Sequence, residues 1–488
     1  MPQNRPSSTE KIHQAANQHG SEDQNPSNPV SFTELAPLPV ILSVVDDYFH
    51  CCHNQPYSFF HEESFRHRLS NGFLPDHLLL AVLASAVRFS SHPFFNGKTH
   101  EVAVSYADKS WKSIVSSCFA REEGTDIMTV QTITLLSIFD FTGMFFLRVL
   151  VPAKNLLIYL TLTAAGHERH GSAWVKIGLS VRIAQDLRLM MNGRPDLPIV
   201  DQEERRRVFW SLYLLDRIVS CGRARPPAIL EASCQLQLPC DESAWRQGQL
   251  QTTDTLDQLS NKTLLNANLG PFALEVIMAY VMSRCAQYVL QQYNIRSRYP
   301  PWDPNSDFAS ICSDLLYIES HFEMGKPITD IISPGSNLDS SLDHQTSSMA
   351  IFSRALFYLC HCLLNHPFLL RYRLEISNTR APSSFLERSF TFGKTCAKRL
   401  AQLMSDSLSM GLPLNASFYG YCAVVSGSFQ ALYLQSPDDA VCLESAECVQ
   451  WSLATLREVG KHWVNVSIMV RNLPPFWLRK FHIANIQA

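Results

Sequence analysis

Apolar residues recur every three or four positions along most of the chain from Leu38 onward. That spacing places them on one face of an α-helix, whereas period-two runs bounded by turn residues, which are typical of strands, are rare. The pattern therefore predicts an all-α protein. Helices are predicted over 38–52, 76–90, 100–120, 126–139, 172–190, 203–221, 270–293, 307–323, 346–374, 385–409, 415–435 and 440–464.

The first 37 residues have a different texture. They are rich in Asn, Gln, Ser and Pro and contain too few apolar side chains to build a core, so we predict a disordered arm over 1–37. The longest turn-rich breaks between the predicted helices lie at 234–262 and 326–345. Because no repeat of fixed period is present, we expect one large helical domain behind the arm.

Composition narrows the class of protein. The 488 residues are 46% hydrophobic and 17% charged, and 41 Lys and Arg against 44 Asp and Glu leave a net charge of -3. This balance excludes a chain that coats nucleic acid through bulk charge, and it provides enough apolar material for a large core. There is no signal peptide and no run of about 18 uncharged apolar residues, so no membrane segment is expected.

Motifs of catalysis and metal binding are weak. The densest clusters are Cys51-Cys52-His53 and Cys360-His361-Cys362, but neither has the Cys-x2-4-Cys spacing of a zinc site. We expect structural cysteines there, and no metal or other cofactor in this chain. The patterns Gly-x-Ser-x-Gly, His-Glu-x-x-His and Gly-x4-Gly-Lys-Ser/Thr are absent from the sequence. The protein is therefore predicted not to be an enzyme.

The stretch 172–230 is the most informative. Its first helix contains Gly178, and a helical glycine costs up to about 1 kcal/mol relative to alanine, so we expect close packing of a neighbouring helix to compensate. Its second helix contains the arginine run 205–207. Because Glu203 and Glu204 precede this run and an apolar segment follows it, we interpret the run as ion-paired and structural rather than as a DNA contact.

These residues resemble the regulatory middle homology domain of fungal zinc-binuclear-cluster transcription factors, which is also described as the xylanolytic-activator-type regulatory domain. The resemblance covers 38–370 well and the remainder loosely, and it rests on the order and spacing of several pieces. We expect the signature residues to be structural, and we single out no catalytic or ligand-binding residue. The signature residues are Trp174, Gly178, Arg182, Gln185, Asp186, Arg206, Phe209, Trp210, Asp216, Arg217, Arg225 and Pro226.

The resemblance implies an all-helical domain in the nucleus that controls transcription by RNA polymerase II through protein contacts. Its expected partners are the transcription machinery or an intact family relative, and either a homodimer or a heterodimer is open. We divide the chain into the arm 1–37, a regulatory domain 38–375 and a C-terminal helical extension 376–488 packed on the same body. The alternative interpretation is a helical scaffold or interaction protein with no DNA-linked role.

Two features depart from the family pattern. The family's DNA-binding module carries six cysteines that share two zinc ions, but the first cysteine here is Cys51 and Cys-x2-Cys occurs nowhere. We therefore expect DNA contact only through a missing module or a partner, and zinc only if such a module exists. The second feature is the long apolar stretch 143–163. It is either a translated intron, since Gly143-Met144-Phe145 and Leu162-Thr163-Ala164 are encodable by splice-signal-like codons, or a genuine inserted helix.

Overall fold

The structure is a computed structural model. It describes residues 36–119, 124–142, 169–193, 195–221, 226–263, 269–290, 299–331, 340–376, 378–471 and 473. The arm predicted over 1–37 lies outside the described residues except for its last two positions, and the stretch 143–163 lies outside them entirely.

The described residues form eighteen α-helices and no β-strand, with a single isolated bridge between Gln237 and Thr255. The all-α prediction is confirmed. In chain order the helices are α1 Leu38–Cys51, α2 Glu62–Ser70, α3 Asp76–Ala86, α4 Thr99–Ile114, α5 Ile127–Thr142, α6 Arg169–Asp186, α7 Ile199–Val219, α8 Glu242–Arg246, α9 Leu256–Ser260, α10 Pro271–Leu290, α11 Asp307–Phe322, α12 Ile328–Ile331, α13 Ser340–Asn365, α14 Pro367–Ile376, α15 Ser383–Ser409, α16 Phe418–Ala431, α17 Asp439–Gly460 and α18 Val464–Arg471.

Most helices lie where the apolar spacing predicts them, and the exceptions have local causes. The predicted helix 346–374 is two helices, because Pro367 has no N–H to donate to the preceding turn and instead occupies the first position of α14. The predicted break 234–262 contains the short helices α8 and α9. Asp241 caps the first of them, since its side chain accepts a hydrogen bond from the N–H of Ser243.

Helix α2 is not predicted by apolar spacing because most of its residues are polar. Its start is defined by capping instead: the His61 side chain accepts a hydrogen bond from the N–H of Ser64. Glu62 and Glu63 occupy the first turn, where the helix dipole favours negative charge, and Arg66 pairs with Glu62 one turn later at 2.8 Å. Local polar interactions thus specify a helix that hydrophobic periodicity does not reveal.

One contiguous hydrophobic core holds the helices together. Its members run from Ala36 to Leu473, so it includes side chains from both 38–375 and 376–488. Nearly every residue of α10 is buried, and this helix packs against α13, which in turn packs against α15 and α16. Helices α5 and α6 form a second closely packed pair. A helix that is apolar on all sides belongs inside such a core.

Helix α13 is the one described helix whose apolar stretch, His344–Asn365, is long enough to cross a membrane. However, 94% of its apolar window is buried inside the protein. A core helix and a membrane-spanning helix have the same composition, so burial decides between them. Packing against α10, α15 and α16 accounts for the composition of α13.

The prediction that a neighbouring helix packs closely at Gly178 is wrong. Among the described residues, no neighbouring atom lies within 4 Å of the position that a Cβ would occupy there. Helix α6 instead contacts α5 through another face, where the hydroxyl oxygens of Ser180 and Thr134 are 2.8 Å apart and both residues are buried. The helix therefore carries the conformational cost of Gly178 without a packing compensation.

Substituting Gly178 with alanine is expected to raise the free energy of unfolding by about 0.5–1 kcal/mol, because the methyl group enters open space and restricts the unfolded chain. Gly393 in α15 is the matched control. An added Cβ there would lie 2.6 Å from Cζ of the buried Phe429 and 2.9 Å from Cβ of Asn365. Gly393→Ala is therefore expected to cost about 1–2 kcal/mol. Urea denaturation midpoints check both values, and equal effects at the two sites would contradict the packing described here.

Candidate functional site

All but two of the signature residues lie on α6 and α7, which pack against each other. On α6, Arg182 and Asp186 are exposed, and Arg182 donates a hydrogen bond to Oε1 of Gln185 at 2.9 Å. The five signature residues of α7 are all buried. Of the other two, Arg225 lies outside the described residues and Pro226 is exposed. The structure therefore separates a surface group on α6 from a buried group on α7.

The buried group surrounds an ion-pair network, called here the α7 network, which consists of Glu203, Arg206, Arg207, Gln237 and Glu242. The fully buried guanidinium of Arg207 donates from Nε to Glu203 at 3.0 Å and from Nη1 to Glu242 at 2.7 Å. Burial alone would lower the pKa of Arg207, but the carboxylates of Glu242 and Glu203 raise it above its ordinary value. The α7 network therefore keeps a charged arginine in the core.

The ion pairing predicted for the arginine run is present at Arg206 as well as at Arg207. Arg206 donates to Glu203 and, at 3.2 Å, to Oε1 of Gln237. The Gln237 carbonyl also accepts a hydrogen bond from Nε1 of Trp210 at 2.7 Å. Arg205 lies on another face and donates to the carbonyl of Leu187, just beyond α6, at 2.9 Å. The run is thus used internally, to join α7 to the segments around it.

Side chains far apart in sequence complete this arrangement. Asn54 donates to Glu242 at 3.5 Å and to Oε1 of Gln345 at 3.1 Å. Gln345, on α13, donates in turn to the carbonyl of Phe49 on α1 at 3.1 Å. Arg246 donates to the same Gln345 oxygen at 2.9 Å. The α7 network is therefore connected through hydrogen bonds to α1, α8 and α13.

The signature residues Asp216 and Arg217 fasten the segment that follows α7. The buried Asp216 carboxylate accepts hydrogen bonds from the N–H groups of Ala228 at 3.0 Å and Ile229 at 3.1 Å. Arg217 donates to the Ile229 carbonyl at 2.8 Å, and its guanidinium lies 4.3 Å from the centroid of the Tyr213 ring. These contacts give both residues a structural role in positioning the chain after Pro226.

A small cleft lies where helices from the first half of the chain meet segments from its last quarter. It has a volume of about 60 Å³ and is named the Arg88 cleft after its charged residue. Most of its wall is aromatic or aliphatic. Its lining residues are Tyr48, Cys51, Cys52, Gln55, Pro56, Tyr57, Phe59, Ser85, Arg88, Leu135, Ile138, Phe139, Phe141, Thr142, Ile218, Asn415, Ala416, Ser417, Phe418 and Trp463.

Among the described residues that line this cleft, Arg88 is the only charged one. Its guanidinium carbon lies 4.3 Å from the centroid of the Trp463 ring and 5.3 Å from that of Phe139. Its Nε atom is buried and has no hydrogen-bond partner among the described residues. Burial lowers the pKa of Arg88 to about 10, and the nearby Cys52 thiol opposes this shift. Arg88 is therefore charged at neutral pH and is stabilised by aromatic rings rather than by a carboxylate.

A second, larger cleft of about 690 Å³ lies between α2, α5 and α7, and its lining is mostly polar. Its buried carboxylate, Glu204, accepts hydrogen bonds from Arg68 at 3.0 Å and from Gln131 at 3.0 Å. Burial raises the pKa of Glu204, and Arg68 opposes that rise. Because this carboxylate is already paired within the protein, the cleft presents an open polar surface rather than an unsatisfied charge.

The described residues contain no group of three or more His, Cys, Asp and Glu side chains arranged to hold a metal ion. Cys360 and Cys362 are buried inside α13, where burial raises the pKa of the Cys362 thiol well above its usual value. Burial lowers the pKa of His361 to about 4, so this imidazole is neutral at physiological pH. These residues contribute to the core.

Sequence patterns did not point to the residues that make the Arg88 cleft distinctive. Arg88 follows an apolar helix as a single charge, while Asn415 and Trp463 lie more than 300 positions further along the chain. The one cue in the sequence is that Arg88 is a single charge after an apolar helix. This cue does not predict burial, because such a residue is normally exposed to solvent. Its enclosure is a property of the tertiary fold.

Comparison with known proteins identifies the class. Residues 152–361 match the family model described as "Fungal specific transcription factor domain". The match begins inside 143–163, and both interpretations of that stretch stay predictions. This match, which covers 210 of the 488 residues, confirms the resemblance to the regulatory domain of fungal transcription factors seen in the sequence. The family is one of transcription factors and not of enzymes.

Individual relatives agree with this assignment. The chain is 23% identical over 456 residues to the Zn(2)-C6 fungal-type transcription factor FTF1c of Fusarium oxysporum f. sp. lycopersici, covering 88% of this chain and 44% of that protein. It is 24% identical over 456 residues to the factor FTF1a of the same fungus, covering 87% of this chain and 38% of that protein. An uncharacterized transcriptional regulatory protein of Schizosaccharomyces pombe is 27% identical over 311 residues, which are 60% of this chain and 29% of that protein. The chain thus spans less than half the length of these relatives.

Proposed function

We propose that this chain is the regulatory part of a fungal transcription factor and that it acts in the nucleus through protein contacts. The observation that carries the proposal is the domain match over 152–361, which includes α6, α7 and α10 and most of α13. Its partners are the transcription machinery or an intact family relative, and the chain pairs either with a second copy of itself or with that relative. It reaches DNA through such a partner or through a module outside this sequence, and zinc belongs to that module.

We further propose that 38–375 is the regulatory domain and that 376–488 is an extension of the same helical body. Contacts between the two parts support the proposal that the extension belongs to the same helical body. Gly393, in the extension, lies against Asn365 at the end of α13. Trp463, near the end of the extension, packs on Arg88. The extension therefore completes surfaces that belong to the regulatory domain.

A tethering experiment tests the proposed function. The full chain is fused to a bacterial sequence-specific DNA-binding protein and expressed in a fungal cell that carries the matching operator upstream of a reporter gene. We expect the fusion to accumulate in the nucleus and to change the reporter transcript several-fold relative to the DNA-binding protein alone. Arg371→Ala, at an exposed ion pair, is the matched control that should behave as the unmodified chain.

Chromatin immunoprecipitation measures whether the fusion occupies the operator. With occupancy known, both a changed and an unchanged reporter transcript can be interpreted. An occupied operator with an unchanged transcript would contradict the proposal and would favour the alternative, a helical scaffold with no role in transcription. A changed transcript that Arg371→Ala preserves would support it.

A further inference from the structure

We propose that the Arg88 cleft binds a small monocarboxylate, with the carboxylate group on Arg88 and the apolar part of the molecule against the aromatic wall. This inference goes beyond the proposed function and does not depend on it. It rests on the geometry of a charged group that the described part of the protein leaves without an anion.

The first step concerns charge. A buried cation is ordinarily paired with a carboxylate, because an isolated charge loses its hydration on burial and gains nothing in return. The arginines of the α7 network follow this rule, since Arg207 has two glutamates as partners. Arg88 differs: among the described residues its guanidinium lies over the rings of Trp463 and Phe139, and the titratable groups that interact with it are the Cys52 thiol and the His462 imidazole rather than a carboxylate. A ligand anion would complete this environment.

The second step concerns hydrogen bonding. The Nε atom of Arg88 and the Nδ2 atom of Asn415 are both buried donors without a partner among the described residues, and both residues line the cleft. The backbone of Asn415 is held in place, since its carbonyl accepts a hydrogen bond from Nε1 of Trp463 at 2.6 Å. A carboxylate has two acceptor oxygens, which match the planar fork of a guanidinium together with an amide donor.

The third step concerns size and polarity. The cleft volume of about 60 Å³ is well below the roughly 150 Å³ of a cavity that holds benzene, so the apolar part of the ligand must be small or must extend toward the opening. The guanidinium lies over the rings of Phe139 and Trp463, and a carboxylate would bind at its edge, where the N–H groups of a guanidinium point. Phosphates carry more charge and have no apolar part to place against this wall. The class that fits is a small monocarboxylate.

Calorimetric titration of the purified full-length chain tests the inference. The probes are sodium acetate and sodium butyrate, and the matched controls are acetamide and butyramide, which have the same body without the charge. We expect both acids to bind saturably and to raise the thermal denaturation midpoint at constant ionic strength. We expect the amides to bind at least about tenfold more weakly, since they lose the charge-assisted hydrogen bonds.

Two substitutions at Arg88 test whether the carboxylate of the ligand binds to this residue. Arg88→Met keeps most of the apolar stem and is expected to reduce acid affinity at least about tenfold, with no loss of thermal stability in the unliganded chain because an unpaired charge is removed. Arg88→Lys keeps the charge but loses the fork, and is expected to weaken binding by a smaller factor. If Arg88→Met does not fold, the affinity of Arg88→Lys still tests whether the carboxylate binds at Arg88. Arg371→Met is the exposed control and should bind as the unmodified chain does.

The proposal is overturned by any of three results. One is that neither acid binds to the unmodified chain, and another is that acids and amides bind equally. The third is that Arg88→Met or Arg88→Lys binds the acids with unchanged affinity, which would place the anion elsewhere. Failure of the tethering experiment would not affect any of these results, because binding is measured on the isolated chain.

Discussion

Replacing Arg207 with alanine is expected to lower the free energy of unfolding by about 3–5 kcal/mol, because it leaves two buried carboxylates without their cation. Glu203 and Glu242 are 4% exposed and each bonds directly to the Arg207 guanidinium. The substitution also empties the space against the Trp245 ring, whose centroid lies 3.9 Å from the guanidinium carbon. A folded protein is stable by only about 5–15 kcal/mol, so this loss is a large share of the total.

The matched control is Arg371→Ala on α14. Arg371 pairs with Glu375 at 3.0 Å, but their side chains are 79% and 63% exposed, so solvent screens the interaction. The expected cost of this substitution is below about 0.5 kcal/mol. Urea denaturation followed by far-ultraviolet circular dichroism measures both variants. Equal costs at the two arginines would show that the α7 network does not stabilise the fold.

Replacing Glu275 with leucine is expected to stabilise the protein at neutral pH by roughly 2–3 kcal/mol, the cost of burying unsatisfied polar atoms. Glu275 lies on α10, is fully buried, and has no hydrogen-bond partner for either carboxyl oxygen among the described residues. Burial, with a smaller contribution from the nearby Glu242 carboxylate, raises the pKa of Glu275 well above its ordinary value. Leucine fills a similar volume and has no polar atoms to desolvate.

The effect of Glu275→Leu is expected to depend on pH in a definite direction. The pKa of Glu275 is raised by folding, so the carboxyl group of the folded chain stays protonated where that of the unfolded chain ionises. The destabilisation that arises from this difference in protonation is absent below the unfolded pKa of about 4.5, and it grows as the pH rises toward the folded pKa. The gain from leucine should therefore be smaller at pH 4.5 than at pH 7, with a slope of at most about 1.4 kcal/mol per pH unit.

Two further variants separate charge from polarity. Glu275→Gln cannot ionise but still buries an amide, so it should show the pH-dependent gain without the additional gain of leucine. Glu387→Leu replaces an exposed glutamate on α15 and should change stability by a similar small amount at both pH values. Denaturation midpoints at pH 4.5 and pH 7 provide the comparison. A pH-independent effect of Glu275→Leu would mean that the carboxyl group is solvated.

Hydrophobic periodicity was sufficient to predict the fold class and the positions of most helices, because the core-facing residues of a helix repeat locally. It was insufficient where backbone chemistry or capping decides the outcome. Pro367 divides one predicted helix into two, and the His61 cap begins a helix whose residues are mostly polar. The packing expected at Gly178 failed because a single sequence does not show which face of a helix meets its neighbour.

The candidate site was predicted in part. Adjacent charges of opposite sign predict ion pairs one turn apart, as at Glu203 with Arg206 and Arg207. The partners Glu242 and Gln345, by contrast, lie on other helices and carry no local signal. The Arg88 cleft likewise depends on tertiary packing, since no carboxylate occurs among its described lining residues and Trp463 reaches it from the far end of the chain. Features of this kind are defined by the assembled helices.

The hydrogen bond from Gln345 to the carbonyl of Phe49 has a consequence for biosynthesis. The two residues are 296 positions apart, so the ribosome adds Gln345 long after α1 has emerged. At a translation rate of about 5–20 residues per second, roughly 15–60 s separate the synthesis of Phe49 from that of Gln345. During that interval α1 can already pack on α3, but the Phe49 carbonyl lacks the hydrogen bond that Gln345 donates, so the link between α1 and α13 is among the last to form.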